Sequence, residues 1–175
     1  ASVLTTLAFL TSHDEVKNTF TVGKVAITLD EARVDDYGKV VSNQDRVKKN
    51  TYKLIPGHEY VKDPTVHFAA GSEASYLFVE VKNGIDAIET NESGKTIDDQ
   101  IISNGWSILD ENIPGVYYKK VEANTGAAAV DYQVFATFKL ADDAAVEDYK
   151  NANITITAYA IQADGFDTAA AAWGE

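Results

Sequence analysis

The sequence contains no cysteine and no methionine, and basic residues are scarce beside acidic ones. Without cysteine there is no disulfide, no thiolate metal ligand and no cysteine nucleophile. Fifteen Lys and Arg residues stand against 27 Asp and Glu residues, which gives a formal net charge of -12. Because phosphate binding needs clustered basic charge, this balance argues against nucleic acid as a partner. The densest basic cluster, Arg46-Val-Lys-Lys49, is short, and we expect it to form a solvated loop.

Long apolar runs are also missing from the chain. A membrane-spanning helix needs about 18–20 consecutive apolar residues, and no stretch of the chain is that long, so we expect no membrane span. The missing methionine and the Ala1-Ser2 start fit cleavage of a signal peptide, since such sites favour small residues. Loss of the initiator methionine alone explains the same start, but we expect an exported protein.

The first twelve residues lack charge, proline and glycine. Their Leu, Val, Phe and Thr residues favour a β-strand, and both faces of that strand would be largely apolar. Left free, an uncharged strand of this kind is an aggregation hazard. It is therefore taken up either by its own domain or by a neighbouring copy, and the residues alone leave both arrangements open.

The rest of the chain has the alternation and turn signals of an all-β protein. We predict an antiparallel jelly-roll-like β-sandwich with one or two short helices and an extended N-terminal strand. The predicted parts are an N-terminal strand over 1–12, a polar hinge over 13–19 and a single domain over 20–175. Within that domain we predict strands over 20–29, 51–55, 60–61, 65–69, 75–82, 106–109, 116–121, 131–140 and 152–162. The short helices are expected over 96–103 and 142–150, with a frayed helix over 167–175.

No motif of catalysis or metal binding stands out, so we expect no enzyme and no cofactor. His58-Glu59 begins like the zinc-protease motif H-E-x-x-H, but Val61-Lys62 follow in place of a second histidine. Three acidic pairs lack the spacing of an EF-hand loop and are expected to be solvated surface: Asp35-Asp36, Asp98-Asp99 and Asp142-Asp143.

Aromatic residues leave a binding function open. Tyr117-Tyr118 or the two tryptophans would stack on sugar rings in a carbohydrate-binding sandwich. The favoured interpretation places Trp106 and alternate tyrosines in the core. A monomeric secreted β-sandwich that binds carbohydrate or a cell-surface partner is therefore kept as the alternative function.

Three stretches together resemble the TasA/camelysin family of secreted bacterial proteins. Residues 18–29, Asn-Thr-Phe-Thr-Val-Gly-Lys-Val-Ala-Ile-Thr-Leu, resemble its first conserved block, in which a polar stretch leads into F-x-x-G-x-(V/L)-x-(I/L)-x-L. Residues 54–66 resemble the next block, a (L/I)-x-P-G turn before a strand. Residues 158–166, Ala-Tyr-Ala-Ile-Gln-Ala-Asp-Gly-Phe, resemble an ending of related exported proteins. The match lies in the order and spacing of these stretches.

The resemblance implies a jelly-roll subunit of an extracellular biofilm-matrix or pilus-like fibre, located in the matrix or at the cell surface. In such fibres the N-terminal donor strand of one subunit completes the sheet of the next. That role would fall on Val3, Leu4, Leu7, Ala8, Phe9 and Leu10. The partners would be identical subunits, and an accessory anchoring or assembly protein is left open. Camelysins have also been classed as metalloproteases, an activity for which this sequence offers no zinc motif.

Overall fold

The structure, a computed structural model, describes the backbone of residues 6–9 and all of residues 24–175. This part of the chain is an all-β protein with a small helical content. Its strands are β1 (Thr6–Phe9), β2 (Ile27–Asp30), β3 (Glu59–Val61), β4 (Thr65–Phe68), β5 (Ser75–Asn83), β6 (Ser107–Ile108), β7 (Val116–Val121), β8 (Val130–Gln133), β9 (Thr137–Lys139) and β10 (Ile154–Gln162). Its helices are α1 (Ile97–Ser103) and α2 (Ala169–Trp173), with 3-10 turns at Asp86–Ile88 and Val146–Tyr149.

The strands form three antiparallel sheets. The largest has the order β1-β10-β5-β7-β6, and two smaller sheets have the orders β2-β4-β8 and β3-β9. Strands β5 and β10 pair along their whole length, from Ile154 opposite Asn83 to Gln162 opposite Ser75. This nine-residue ladder is the centre of the five-stranded sheet.

One hydrophobic core contacts all three sheets. It contains alternate residues of β5, β7 and β10 from one side and residues of β2, β4 and β9 from the other, which follows from the two-residue period of a strand. Its fully buried members include Ile27, Leu29, Val66, Phe68, Leu77, Val79, Phe138, Ile156 and Ala158. Within the described part of the chain, no helix is long and apolar enough to cross a membrane.

The opposite face of the five-stranded sheet is covered by helix α2. The helix begins where the Thr168 side chain accepts a hydrogen bond from the Ala171 backbone N–H at 3.1 Å. At its other end the Trp173 ring lies 5.1 Å from that of Phe78 and 5.4 Å from that of Tyr159, measured between centroids. The central strands are therefore buried on both faces.

The prediction of one long strand over 131–140 is wrong. The chain leaves the three-stranded sheet after Gln133 and enters the two-stranded sheet at Thr137. Near this break, the side chain of Gln100 of α1 forms hydrogen bonds with the backbone. Its Oε1 accepts from the backbone N–H groups of Ala136 and Thr137 at 3.1 Å each, and its Nε2 donates to the carbonyl of Thr137 at 2.9 Å.

The predicted strand over 51–55 is also absent. The hydroxyl of Tyr60 accepts from the Ile55 N–H at 2.8 Å and donates to the Lys53 carbonyl at 2.6 Å, so a side chain replaces a partner strand. The predicted helix over 142–150 shrinks to the turn Val146–Tyr149, which begins after Ala145 and not at Asp142 or Asp143. Strand β2 begins only at Ile27, and residues 20–23 of its predicted range lie outside the described residues.

The packing of α2 predicts the effect of removing Trp173. We expect Trp173→Ala to lower the free energy of unfolding by about 2 kcal/mol. The substitution removes a half-buried ring and its contacts with the rings of Phe78 and Tyr159. Urea denaturation followed by circular dichroism measures this. The control Ile108→Ala, at a side chain that is 53% exposed, should stay within about 0.5 kcal/mol of the parent protein. An equally small effect at Trp173 would contradict the cover assigned to α2.

Candidate functional site at the edge of strand β10

Strand β1 occupies the outer edge of the five-stranded sheet, beside β10. The two strands are antiparallel, with Thr6 opposite Ala160 and Phe9 opposite Thr157. Strand β1 also lies close to β2 of the three-stranded sheet. It therefore closes the side of the molecule where the two larger sheets meet.

The structure places three of the six predicted donor residues at this edge. Leu7, Ala8 and Phe9 belong to β1, where Leu7 is opposite Tyr159 and Ala8 is opposite Ala158. Val3, Leu4, Leu10 and the predicted hinge 13–19 lie outside the described residues. The β10 partner belongs to the same chain here, and a strand from another copy in the same register would make the same ladder.

Strand β10 needs a neighbour because both of its faces are buried. Ile156, Ala158 and Ala160 point into the core, whereas Ile161 and the half-buried Tyr159 belong to the cluster under α2. Backbone N–H and C=O groups at a buried edge cost free energy when they are left unpaired. Pairing with β1 therefore satisfies backbone groups at the edge of β10 that would otherwise lack a partner strand.

The aromatic candidates for sugar binding lie mostly inside the protein. Trp106 is 2% exposed, and its Nε1 donates to the carbonyl of Gln133 at 2.9 Å. Tyr117 is buried and its hydroxyl donates to Asp98 at 2.6 Å, while Tyr118 and Trp173 are half-buried in the cluster under α2. The core interpretation is confirmed for Trp106 and Tyr117.

The acidic pair at helix α1 has a structural role. Asp99 accepts from the Gly94 N–H at 2.8 Å, and its own N–H donates to the Thr96 hydroxyl at 3.0 Å, which caps the helix. The Nε2 atom of His58 lies 2.8 Å from the carbonyl oxygen of Tyr37, which is a neutral partner. Among the described residues, no group of three or more His, Cys, Asp or Glu side chains is arranged to hold a metal ion.

A charged cluster that the sequence analysis missed joins the strands of the three-stranded sheet. His67 of the central strand β4 lies between two carboxylates, with Nε2 2.6 Å from Asp30 of β2 and Nδ1 2.6 Å from Asp131 of β8. Arg46 donates from Nε to the same Asp30 oxygen at 2.5 Å and from Nη1 to Asp63 at 3.1 Å. Arg46 lies in an exposed loop, as expected for this basic cluster, and two ion pairs also join it to the three-stranded sheet and to Asp63.

The geometry favours the protonated form of His67. Carboxylates only accept hydrogen bonds, so both ring nitrogens must donate. Burial by itself lowers the pKa of His67, but the hydrogen bonds and charges of Asp30 and Asp131 outweigh it and raise the pKa above its ordinary value. Burial also raises the pKa of Glu89 to about 7, against the hydrogen bonds that this carboxylate accepts from Ile97 and Asn83.

The His67 cluster predicts a pH dependence of stability. The pKa of His67 is raised in the folded state. Its contribution to stability is therefore complete below the unfolded-state pKa of about 6.5 and is lost as the pH rises through the folded-state pKa. We expect His67→Gln to lower the free energy of unfolding by about 1 kcal/mol at pH 5.5 and by much less at pH 9, after allowing for solvent screening. Urea denaturation across this range measures the difference between variant and parent, in which the contribution of Glu89 cancels.

His58→Gln is the matched control for this experiment. It removes a histidine whose hydrogen bond is to a neutral carbonyl, so its difference from the parent should not change with pH in the same way. A His67→Gln difference that is constant from pH 5.5 to pH 9 would contradict the ionic cluster.

Comparisons of the chain with protein-family models, with curated proteins and with solved structures found no match. The resemblance to the TasA/camelysin family stays a prediction from the sequence.

Proposed function

We propose that this protein is a structural subunit of an extracellular filament that polymerises head-to-tail. The N-terminal strand of one copy would occupy the β10 edge of the next, in place of that copy's own β1. Such a contact joins two different surfaces and need not close on itself, so it propagates into a fibre. The single observation that supports this most is the pairing of β1 with an edge whose strand is buried on both faces.

The length of the acceptor strand fits a longer donor than the four residues of β1. Strand β10 has nine residues, and β1 pairs with only those from Thr157 to Ala160. If a donor strand continued in the same register, Leu4 would lie opposite Gln162 and Ser12 opposite Ile154. Residues 4–12 would then cover the whole acceptor edge, and the donor would end where the polar hinge 13–19 begins.

The proposed subunit is a jelly-roll-like β-sandwich. Support comes from the shared core, in which residues of β5, β7 and β10 contact residues of β2 and β4. The donor strand would close the side where these two sheets meet, because β1 lies next to both β10 and β2. Export and a location in the extracellular matrix or at the cell surface belong to the same proposal, as does the absence of enzymatic activity.

Shortening the N-terminus tests the proposal. We expect a chain that lacks residues 1–12 to fold but form no fibres, because the acceptor edge then has no donor. Leu7→Asp and Phe9→Asp should weaken polymerisation strongly, since a charge in this strand opposes its burial. Electron microscopy and sedimentation of the purified proteins measure fibre formation.

The control for charge on an edge strand is Ile108→Asp at the opposite edge of the same sheet. This side chain is exposed, and the variant should form fibres as the parent does. A synthetic peptide of residues 1–12 should bind the shortened chain and raise its melting temperature. Fibres from the shortened chain would refute the donor-strand assignment. Monodisperse particles from the parent protein would instead favour the alternative function, a monomer that binds a ligand.

A further inference from the structure

A cavity of about 580 Å³ opens beside the first residues of β10. It lies between the segment 48–54, the turn Val146–Tyr149 and the first residues of β10. Its volume falls in the range of about 300–1,000 Å³ that is typical of small-ligand sites. Ile154 and Thr155 also belong to the proposed acceptor edge, whereas the segment 48–54 and the turn Val146–Tyr149 do not.

The inner part of the cavity is electrically neutral and partly aromatic. Lys62 and Glu31 form a buried ion pair there, with Nζ 2.6 Å from Oε2. The other Glu31 oxygen accepts from Asn50 Nδ2 at 2.9 Å, so the carboxylate is satisfied within the protein. The half-buried rings of Tyr52 and Tyr149 contribute apolar surface to the lining.

The mouth of the cavity is cationic in a strongly acidic protein. Lys49 and Lys150 belong to the lining, together with the amide and hydroxyl side chains of Asn151 and Thr155. Lys150 contacts Glu147 at 3.3 Å, but both side chains are more than 70% exposed. Exposed pairs of this kind are weak, so a ligand carboxylate would compete for the lysine. No other carboxylate besides Glu31 belongs to the described lining.

We propose that this cavity binds a carboxylated sugar, as it occurs in an acidic polysaccharide. Lys49 and Lys150 would pair with the carboxylate, and the Asn and Thr side chains would exchange hydrogen bonds with hydroxyl groups. The aromatic rings would contact the apolar C–H face of the sugar. A neutral apolar ligand would gain nothing from the cationic mouth, and a simple anion would gain nothing from the rings. This inference goes beyond the proposed filament and does not depend on it.

Equilibrium binding of fluorescently labelled trigalacturonate to the full chain tests the inference. We expect saturable binding to the parent protein and a loss of at least about tenfold in affinity for the double variant Lys49→Gln/Lys150→Gln. The matched control is Lys39→Gln/Lys120→Gln, which makes the same change in net charge at exposed lysines outside the cavity. Its affinity should stay within about twofold of the parent.

Competition with two unlabelled probes separates the sugar from the charge. Maltotriose, which has no carboxylate, and triglutamate, which has no sugar, should each compete at least about tenfold more weakly than trigalacturonate. Absence of saturable binding, an equal loss in the control variant, or equal competition by triglutamate would overturn the proposal. Size-exclusion chromatography of each sample shows whether polymerisation has changed, so failure of the filament proposal is seen separately.

Discussion

The arrangement of the two larger sheets requires a strand that pairs with the edge of β10. Strand β10 is the partner of β5 along nine residues, and its two faces are buried by the shared core and by the cluster under α2. A strand in that position has no solvated side to which its unpaired backbone groups can turn. The chain meets this need with residues 6–9, which come from its uncharged N-terminal segment.

The same constraint connects the shape of the subunit with its proposed assembly. The inward residues Ala158 and Ala160 are small, so the edge of β10 admits a neighbouring strand without crowding from its own side chains. The cover on the outer face is a short helix, which leaves the edge itself to the N-terminal strand. The same backbone hydrogen bonds form whether the second strand comes from the same chain or from another copy. The proposed assembly would therefore need no contacts of a new kind, because the β1 strand of another copy would replace the subunit's own β1.

The sequence predicts those parts of the fold that depend on neighbouring residues. Strands β5, β7 and β10 and helix α1 lie within a residue or two of their predicted bounds, because alternation and capping are local signals. The failures at 51–55 and 131–140 arise where the side chains of Tyr60 and Gln100 form hydrogen bonds with the backbone. The His67 cluster and the lysine-rimmed cavity were not predictable, since both require knowing which distant segments become neighbours.

The central claim is that the first strand pairs with β10 of another copy, and a disulfide tests it most directly. The chain has no cysteine, so Ala8→Cys with Ala158→Cys introduces one pair at directly opposed positions. Opposed residues in an antiparallel ladder lie about 4.5–5.5 Å apart at Cα, within reach of a disulfide. After oxidation of assembled protein, exchange predicts a ladder of covalent multimers on non-reducing gels, whereas each single-cysteine variant gives dimers at most. A cross-linked monomer alone would show that the strand stays in its own chain and would contradict the account.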